Sequence, residues 1–314
     1  MISNMRVAIA PMMWGTTYAV TTQLLPEGRP LLAATVRALV AGLVLLAFVR
    51  RLPSGQWWWR SAILGALNIG GFFALLFISA SRLPGGLAAV LASCQPVLVI
   101  ALAPALLKQT VRRTQVLYAL LGVAGIGLLV LRAAGHPDLL GMLAALGAAA
   151  SSALGLVLTR RWRPPVGVWT STAWQLTAGG ILLVPLLLST EGVPRTVTWH
   201  ALAGFAWLIG PSTIGGYYLW FAGLTRLPAA AVSALGMLSP ITAGALGWIW
   251  LHQSLNPLQL AGAAIALGSL LLLQGRPGRR ISHQLGSQAN SAPRSSPIAT
   301  RRLARHEVPE APAR

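Results

Sequence analysis

Residues 81–96 read SRLPGGLAAVLASCQP, and residues 225–240 read TRLPAAAVSALGMLSP. The Arg-Leu-Pro of the first segment falls on that of the second at an offset of 144 residues, and Pro96 then falls on Pro240. The register continues without a gap on both sides, pairing Gly71 with Gly215, Phe77 with Phe221, Leu107 with Leu251, Gln109 with Gln253 and Gln115 with Gln259. Chance aligns a few leucines in so apolar a chain, but not a tripeptide, a proline and two glutamines in order. The chain is built from two copies of one unit, and repetition of this kind decides the architecture before any single residue is considered.

Composition places both copies in a membrane. Of 314 residues, 55% are hydrophobic and 9% charged, whereas a soluble domain carries roughly a quarter charged residues. The net charge of +19 would suit a nucleic-acid binder. Here, however, the arginines sit in short clusters between long apolar runs and not along one face, so no nucleic-acid partner is expected. The single cysteine, Cys94, excludes an internal disulfide and a cysteine-based metal cluster.

A helix needs roughly 20 apolar residues to cross a bilayer core. That length predicts ten spans, at 7–25, 31–49, 61–81, 84–107, 115–132, 139–159, 168–188, 200–224, 228–250 and 257–274. The loops between them are short and leave little chain for a catalytic domain outside the membrane. With a cytoplasmic N-terminus, eleven Lys and Arg residues ahead of the tail fall inside, against Arg29, Arg82, Arg132 and Arg195 outside. The three acids ahead of the tail, Glu27, Asp138 and Glu191, fall outside as well, as the positive-inside rule favours. Both termini are then cytoplasmic. Trp57, Trp58 and Trp59 beside Arg60, and Trp162 among Arg160, Arg161 and Arg163, read as anchors at the inner interface. The first span carries Trp14, Thr16, Thr17, Tyr18, Thr21 and Thr22, so it reads as a structural helix and not as a signal peptide. Residues 276–314, rich in Ser, Pro, Ala and Arg, read as a disordered basic cytoplasmic tail.

The offset carries span three onto eight, four onto nine and five onto ten, so the repeats are 1–133 and 134–275, each with five helices. An odd number of spans turns the second copy upside down. Inverted repeats are the architecture of many secondary transporters, whose substrate site lies near the midplane between the halves. The expected fold is therefore an all-α membrane protein of ten transmembrane helices in two inverted five-helix repeats, working by alternating access. A membrane-embedded enzyme or a scaffold would leave the repeat unexplained.

With Trp14-Gly15 in the first span, Arg37 in the second and the paired Pro96 and Pro240, the chain resembles the EamA branch of the drug/metabolite transporter superfamily over about residues 5–275. The resemblance implies an exporter of amino acids or other small metabolites in the bacterial inner membrane, similar to the aromatic amino acid exporters. It also implies an acidic residue just after spans four and nine, where this chain has Lys108 and His252.

No Asp or Glu lies in any predicted span, so the usual carboxylate relay for proton coupling is missing. Facilitated diffusion or exchange is expected, with a small-molecule substrate, the bilayer as surroundings, and no cofactor or metal. A monomer is compatible with this reading. His136, His200 and His252 fall at loops or span ends and read as interfacial residues. Polar and aromatic residues at mid-span supply the candidate substrate contacts: Trp14 and Tyr18 one turn apart, Asn68 and Phe72 likewise, then Gln95, Gln175, Tyr217 and Ser239. Ser93, Trp174 and Tyr218 lie at similar depths. Such a set suits an amphiphilic molecule of amino-acid size, and the competing reading of each residue is helix packing. Pro96 and Pro240 are candidate gate hinges. Arg37, six residues inside span two, can snorkel outward and pack against a neighbouring helix, or meet a substrate carboxylate. A different metabolite class remains the alternative; a phosphorylated substrate would call for more basic groups.

Overall fold

A computed structural model describes residues 2–83, 85–130, 138–194, 196–250 and 256–274, and every regular element among them is helical. The first half contains α1 (Ile2–Gly15), α2 (Thr17–Leu24), α3 (Pro30–Val49), α4 (Trp57–Gly65), a π-helical segment (Ala66–Gly70), α5 (Gly71–Arg82), α6 (Gly85–Ala92), α7 (Gln95–Leu107) and α8 (Arg113–Val130). The second contains α9 (Leu139–Trp162), α10 (Val168–Thr190), α11 (Trp199–Trp207), a π-helical segment (Leu208–Gly215), α12 (Gly216–Arg226), α13 (Ala229–Leu235), α14 (Leu238–Trp250) and α15 (Pro257–Gln274). Among the described residues, six stretches are long and apolar enough to cross a bilayer on their own, among them Pro30–Val49, Trp57–Arg82 and Leu139–Trp162. The chain is thus a multi-pass membrane protein. Of the other expected spans, Arg113–Leu129 and Pro257–Leu273 are apolar but shorter, and the first is divided between α1 and α2.

The interruptions are paired. The π-helical segments lie at equivalent places in the repeat register, and α6 and α13 both give way to a second helix just ahead of Pro96 and Pro240. A proline lacks the N–H that would bond to the preceding turn, and its ring crowds the carbonyl four residues back. One interruption is unpaired: the first span breaks between α1 and α2, whereas α9, which opens the second half, runs unbroken.

Glycines bring the helices together. α3 crosses α10 where Gly180 faces Leu39; a Cβ on Gly180 would lie 2.6 Å from the Leu39 Cα. Gly42 meets the Thr177 backbone at the same crossing. α8 and α15 meet through Gly125 and Gly262, where a Cβ on either would come within 2.8 Å of the other's carbonyl oxygen. Without a hydrophobic force between helices in lipid, such close backbone approach supplies the packing energy.

The two ends differ in charge. At one end Glu191 accepts the Leu31 and Leu32 N–H groups at 2.8 Å each, capping α3. At the same end Asp138 accepts from the Leu140 and Gly141 N–H groups at 2.8 and 3.1 Å, capping α9, and from Arg82 at 3.0 Å. Carboxylates belong at helix N-termini, where unpaired N–H groups carry partial positive charge. At the other end the Arg60 guanidinium sits 5.3 to 5.6 Å from the rings of Trp57, Trp59 and Trp162, so three of the four tryptophans read as anchors gather around one cation, while Trp58 is exposed.

Two outcomes follow. Gly180→Ala should lower the thermal unfolding midpoint in detergent by the equivalent of about 1–3 kcal/mol, because neither backbone can yield. Gly268→Ala, which meets nothing within 4 Å, should leave the midpoint unchanged or raise it. The second concerns Asp138, whose carboxyl is held below its ordinary value by the Gly141 N–H and by Arg82. A carboxyl with a lowered folded value contributes stability above the unfolded value of about 3.9 and loses it as pH falls through the folded one. Asp138→Asn retains a good cap, so the midpoint at pH 7 should change little, while its fall below about pH 4 should become shallower.

Candidate functional site

A cavity of about 340 Å³ lies between the two halves. Trp14, Asn68, Phe72, Gln95, Tyr217 and Ser239 line it, and so do Pro96, Pro240 and Arg37. Nearly every residue proposed from the sequence is thus brought to one place. Gln175 is the exception: it is buried behind Asn68 and is not on the wall. The Tyr18 side chain lies outside the described residues. Trp174 and Tyr218 point elsewhere, Trp174 donating to the Arg51 carbonyl at 2.7 Å and Tyr218 stacking on Trp169 at 3.9 Å.

The π-helical segments build the polar part of the site. A π turn leaves a backbone carbonyl without its usual partner, and such turns are frequent at functional sites. In the first segment Ser151 on α9 donates to the Leu67 carbonyl at 2.8 Å; in the second, Trp14 Nε1 on α1 donates to the Ser212 carbonyl at 2.9 Å. Asn68 and Ser212 occupy equivalent positions in the repeat. Each is met by a residue that stands five positions ahead of a crossing glycine, Gln175 ahead of Gly180 and Arg37 ahead of Gly42.

On the first side, Asn68 Nδ2 donates to Gln175 Oε1 at 2.8 Å and to Thr159 Oγ1 at 3.2 Å. Gln175 Nε2 donates in turn to Ser171 at 3.2 Å. Gly155 makes room for this amide, since a Cβ there would strike Asn68 Oδ1. On the second side, Arg37 Nε donates to Thr213 at 2.9 Å, while its two terminal nitrogens donate to Ser212 at 3.2 Å and Thr17 at 3.4 Å. The Phe73 ring lies 5.5 Å from the guanidinium carbon. Arg37 is only 6% exposed. It does not snorkel toward the surface, because Ser212 and Thr213 of the second π segment and Thr17 of α2 place three hydroxyl acceptors within its reach inside the protein. All three are neutral, and among the described residues no carboxylate pairs with the charge.

The rest of the wall is aromatic. Trp14 packs against Tyr217 and Trp220 with ring centroids 5.0 and 5.1 Å apart, and Phe221 follows Tyr217 at 5.8 Å. Gln95 Nε2 donates across the cavity edge to Ser152 at 2.9 Å. Trp220, Phe221, Ser152, Ser212, Thr213 and Thr17 were not singled out from the sequence. Spacing could have found the two aromatics, which stand three and four residues after Tyr217 on the same helix face. Nothing in the run Ala-Ala-Ser-Ser-Ala distinguishes Ser152 from a small packing residue. The cavity offers one cation, a few amides and hydroxyls, and a broad aromatic surface. Among the described residues its lining contains no carboxylate, and no group of His, Cys, Asp or Glu could hold a metal.

The EamA-like transporter family matches residues 1–131 and 139–274, once in each half. The chain is 44% identical over 267 residues to the protein PecM of Dickeya dadantii (strain 3937), covering 84% of this chain and 90% of that one. It is 29% identical over 278 residues to a protein of Salmonella typhimurium named a probable amino-acid metabolite efflux pump, covering 82% and 90% of the two. A crystal structure shares the fold with a TM-score of 0.75 at 22% identity, covering 87% of this chain and 98% of that one.

The polar cluster behind the cavity can be measured as a unit. Asn68→Ala should destabilise the protein by about 0.6–1.7 kcal/mol, the range for hydrogen bonds between membrane helices. In a double-mutant cycle of unfolding, Asn68→Ala with Gln175→Ala should cost less than the sum of the single changes.

Proposed function

Since the chain belongs to the EamA-like transporter family through both of its halves, we propose that it is a ten-helix secondary carrier that exports amino acids or similar small metabolites by alternating access. Aromatic and other neutral amino acids are the leading substrates. The repeats are residues 1–133 and 134–275, both termini are cytoplasmic, and the membrane is a bacterial inner membrane. Pro96 and Pro240 are the gate hinges, because each borders the cavity at the point where its span is broken.

The observation that carries this reading is Arg37. A buried guanidinium bonded only to hydroxyls, beside a cavity walled by Trp14, Tyr217 and Trp220, calls for a ligand with one carboxylate and an apolar body. The efflux pump named above supports the amino-acid class and the outward direction. A polyanion such as a nucleotide sugar is disfavoured, since Arg37 is the single cation among the described lining residues. The three described acids, Glu27, Asp138 and Glu191, lie in loops or at helix caps. Movement therefore follows the substrate gradient or occurs by exchange.

Purified full-length protein in liposomes, offered radiolabelled Phe, Trp, Met and Thr, should show uptake that unlabelled substrate competes away. Gln95→Ala and Tyr217→Ala should weaken it. A charge-assisted hydrogen bond is worth about 1.5–3 kcal/mol, so Arg37→Gln should raise the half-saturating concentration roughly 10- to 150-fold. No flux in liposomes proven tight, or an unchanged half-saturation in Arg37→Gln, would overturn this reading of the site. An imposed proton gradient should not drive accumulation above equilibrium; if it did, the uncoupled mechanism would be wrong.

A further inference from the structure

A second cavity of about 340 Å³ lies at the basic end of the molecule. Arg160, Arg163 and Thr159 reach it from the end of α9, Ser171 from α10, and Phe221 and Thr225 from α12. Phe221 also lines the central cavity. The polar cluster spans the same divide: Asn68 lines the central cavity, and its partners run through Thr159 and through Gln175 to Ser171, both of which line the second. Phe221 is thus common to the walls of the two cavities, and one hydrogen-bonded cluster reaches both.

The second cavity is cationic and uncompensated. Arg160 is held across it by donating to the Leu224 carbonyl. Arg163 ends α9 in a left-handed conformation, φ 47°, and joins Arg160 on the wall. Neither guanidinium has a carboxylate within ion-pair distance among the described residues, whose ion pair, Arg82 with Asp138, lies at the opposite end. Ser171 accepts from Gln175, which leaves its own O–H to donate. Basic residues at a helix C-terminus also suit the helix dipole, but Arg161, exposed and outside the cavity, serves that role equally.

We propose that this cavity is a second ligand site, a vestibule that binds the carboxylate of a small solute one step away from the central site, with Phe221 as the partition between them. The proposal rests on the carrier reading, since it places the vestibule on the cytoplasmic stretch of the same path.

The test does not depend on knowing the substrate. In a Cys94→Ser background, the thiol introduced by Thr225→Cys is labelled with anionic and cationic methanethiosulfonate reagents, using full-length protein in nanodiscs of zwitterionic lipid only. A focused positive field raises the local concentration of an anion by roughly tenfold or more. The ratio of anionic to cationic labelling rates should therefore fall by about that factor in Arg160→Gln/Arg163→Gln, and should stay unchanged in Arg161→Gln. Phenylacetate should slow labelling, and phenethylamine should not. If Thr225→Cys does not fold, Val166→Cys on the same cavity wall gives the same readout. A rate ratio indifferent to Arg160 and Arg163 would overturn the proposal. So would protection by added phosphatidylglycerol without protection by phenylacetate, which would assign the arginines to a lipid headgroup. A wild-type protein that moves no solute would sink the carrier reading while leaving these rates to decide the vestibule.

Discussion

In hydrocarbon, a backbone carbonyl released from its helix finds no water, and each one left unpaired costs several kcal/mol. This chain releases carbonyls in both π-helical segments and recovers them with side chains from other spans, Ser151 onto Leu67 and Trp14 onto Ser212. The rest of the site depends on those two bonds. They fix the π turns, the π turns present Asn68 on one side and Ser212 with Thr213 on the other, and these reach residues of α10 and α3. The serine and the tryptophan belong to α9 and α1, the opening helices of the two halves, so each half braces the interruption in the other.

Repetition of the fold has not made the two sides alike. Where the second half sets Gln175 against the first half's π segment, the first half sets Arg37 against the second's. The amide is satisfied: its oxygen accepts, its nitrogen donates, and it lies sealed at 1% exposure. The guanidinium has hydroxyl partners but retains its charge. An arginine at the centre of a membrane helix costs about 2.5–3.5 kcal/mol on insertion scales; Arg37 stands nearer the end of its span, and hydrogen bonds near 0.6 kcal/mol apiece offset part of its cost.

Much of the fold was legible in the sequence because its signals are local. A repeated Arg-Leu-Pro and the prolines at 96 and 240 mark the helix breaks wherever the chain is placed, since a proline cannot complete the helical ladder. Trp14, Asn68, Phe72, Gln95, Tyr217 and Ser239, which line the central cavity, stood out in the sequence because polar or amphipathic groups in so apolar a chain must face something other than lipid. Gln175 showed the same signal and lies behind the wall, because a polar side chain in a span is equally well satisfied by a neighbouring helix. Its depth in sequence says nothing of which.

The chain alone thus determined that there are two copies of one unit in a membrane, and which side chains are too polar or too aromatic for lipid, because both follow from composition and period. The tertiary structure decided what those groups meet. The π turns that hold Arg37 inward, the serines on neighbouring helices that complete the network, and the aromatic row from Tyr217 to Phe221 all arise from contacts between residues far apart in the chain. No local pattern specifies such partners, because a hydrogen bond between helices is set by the rotation and depth of both.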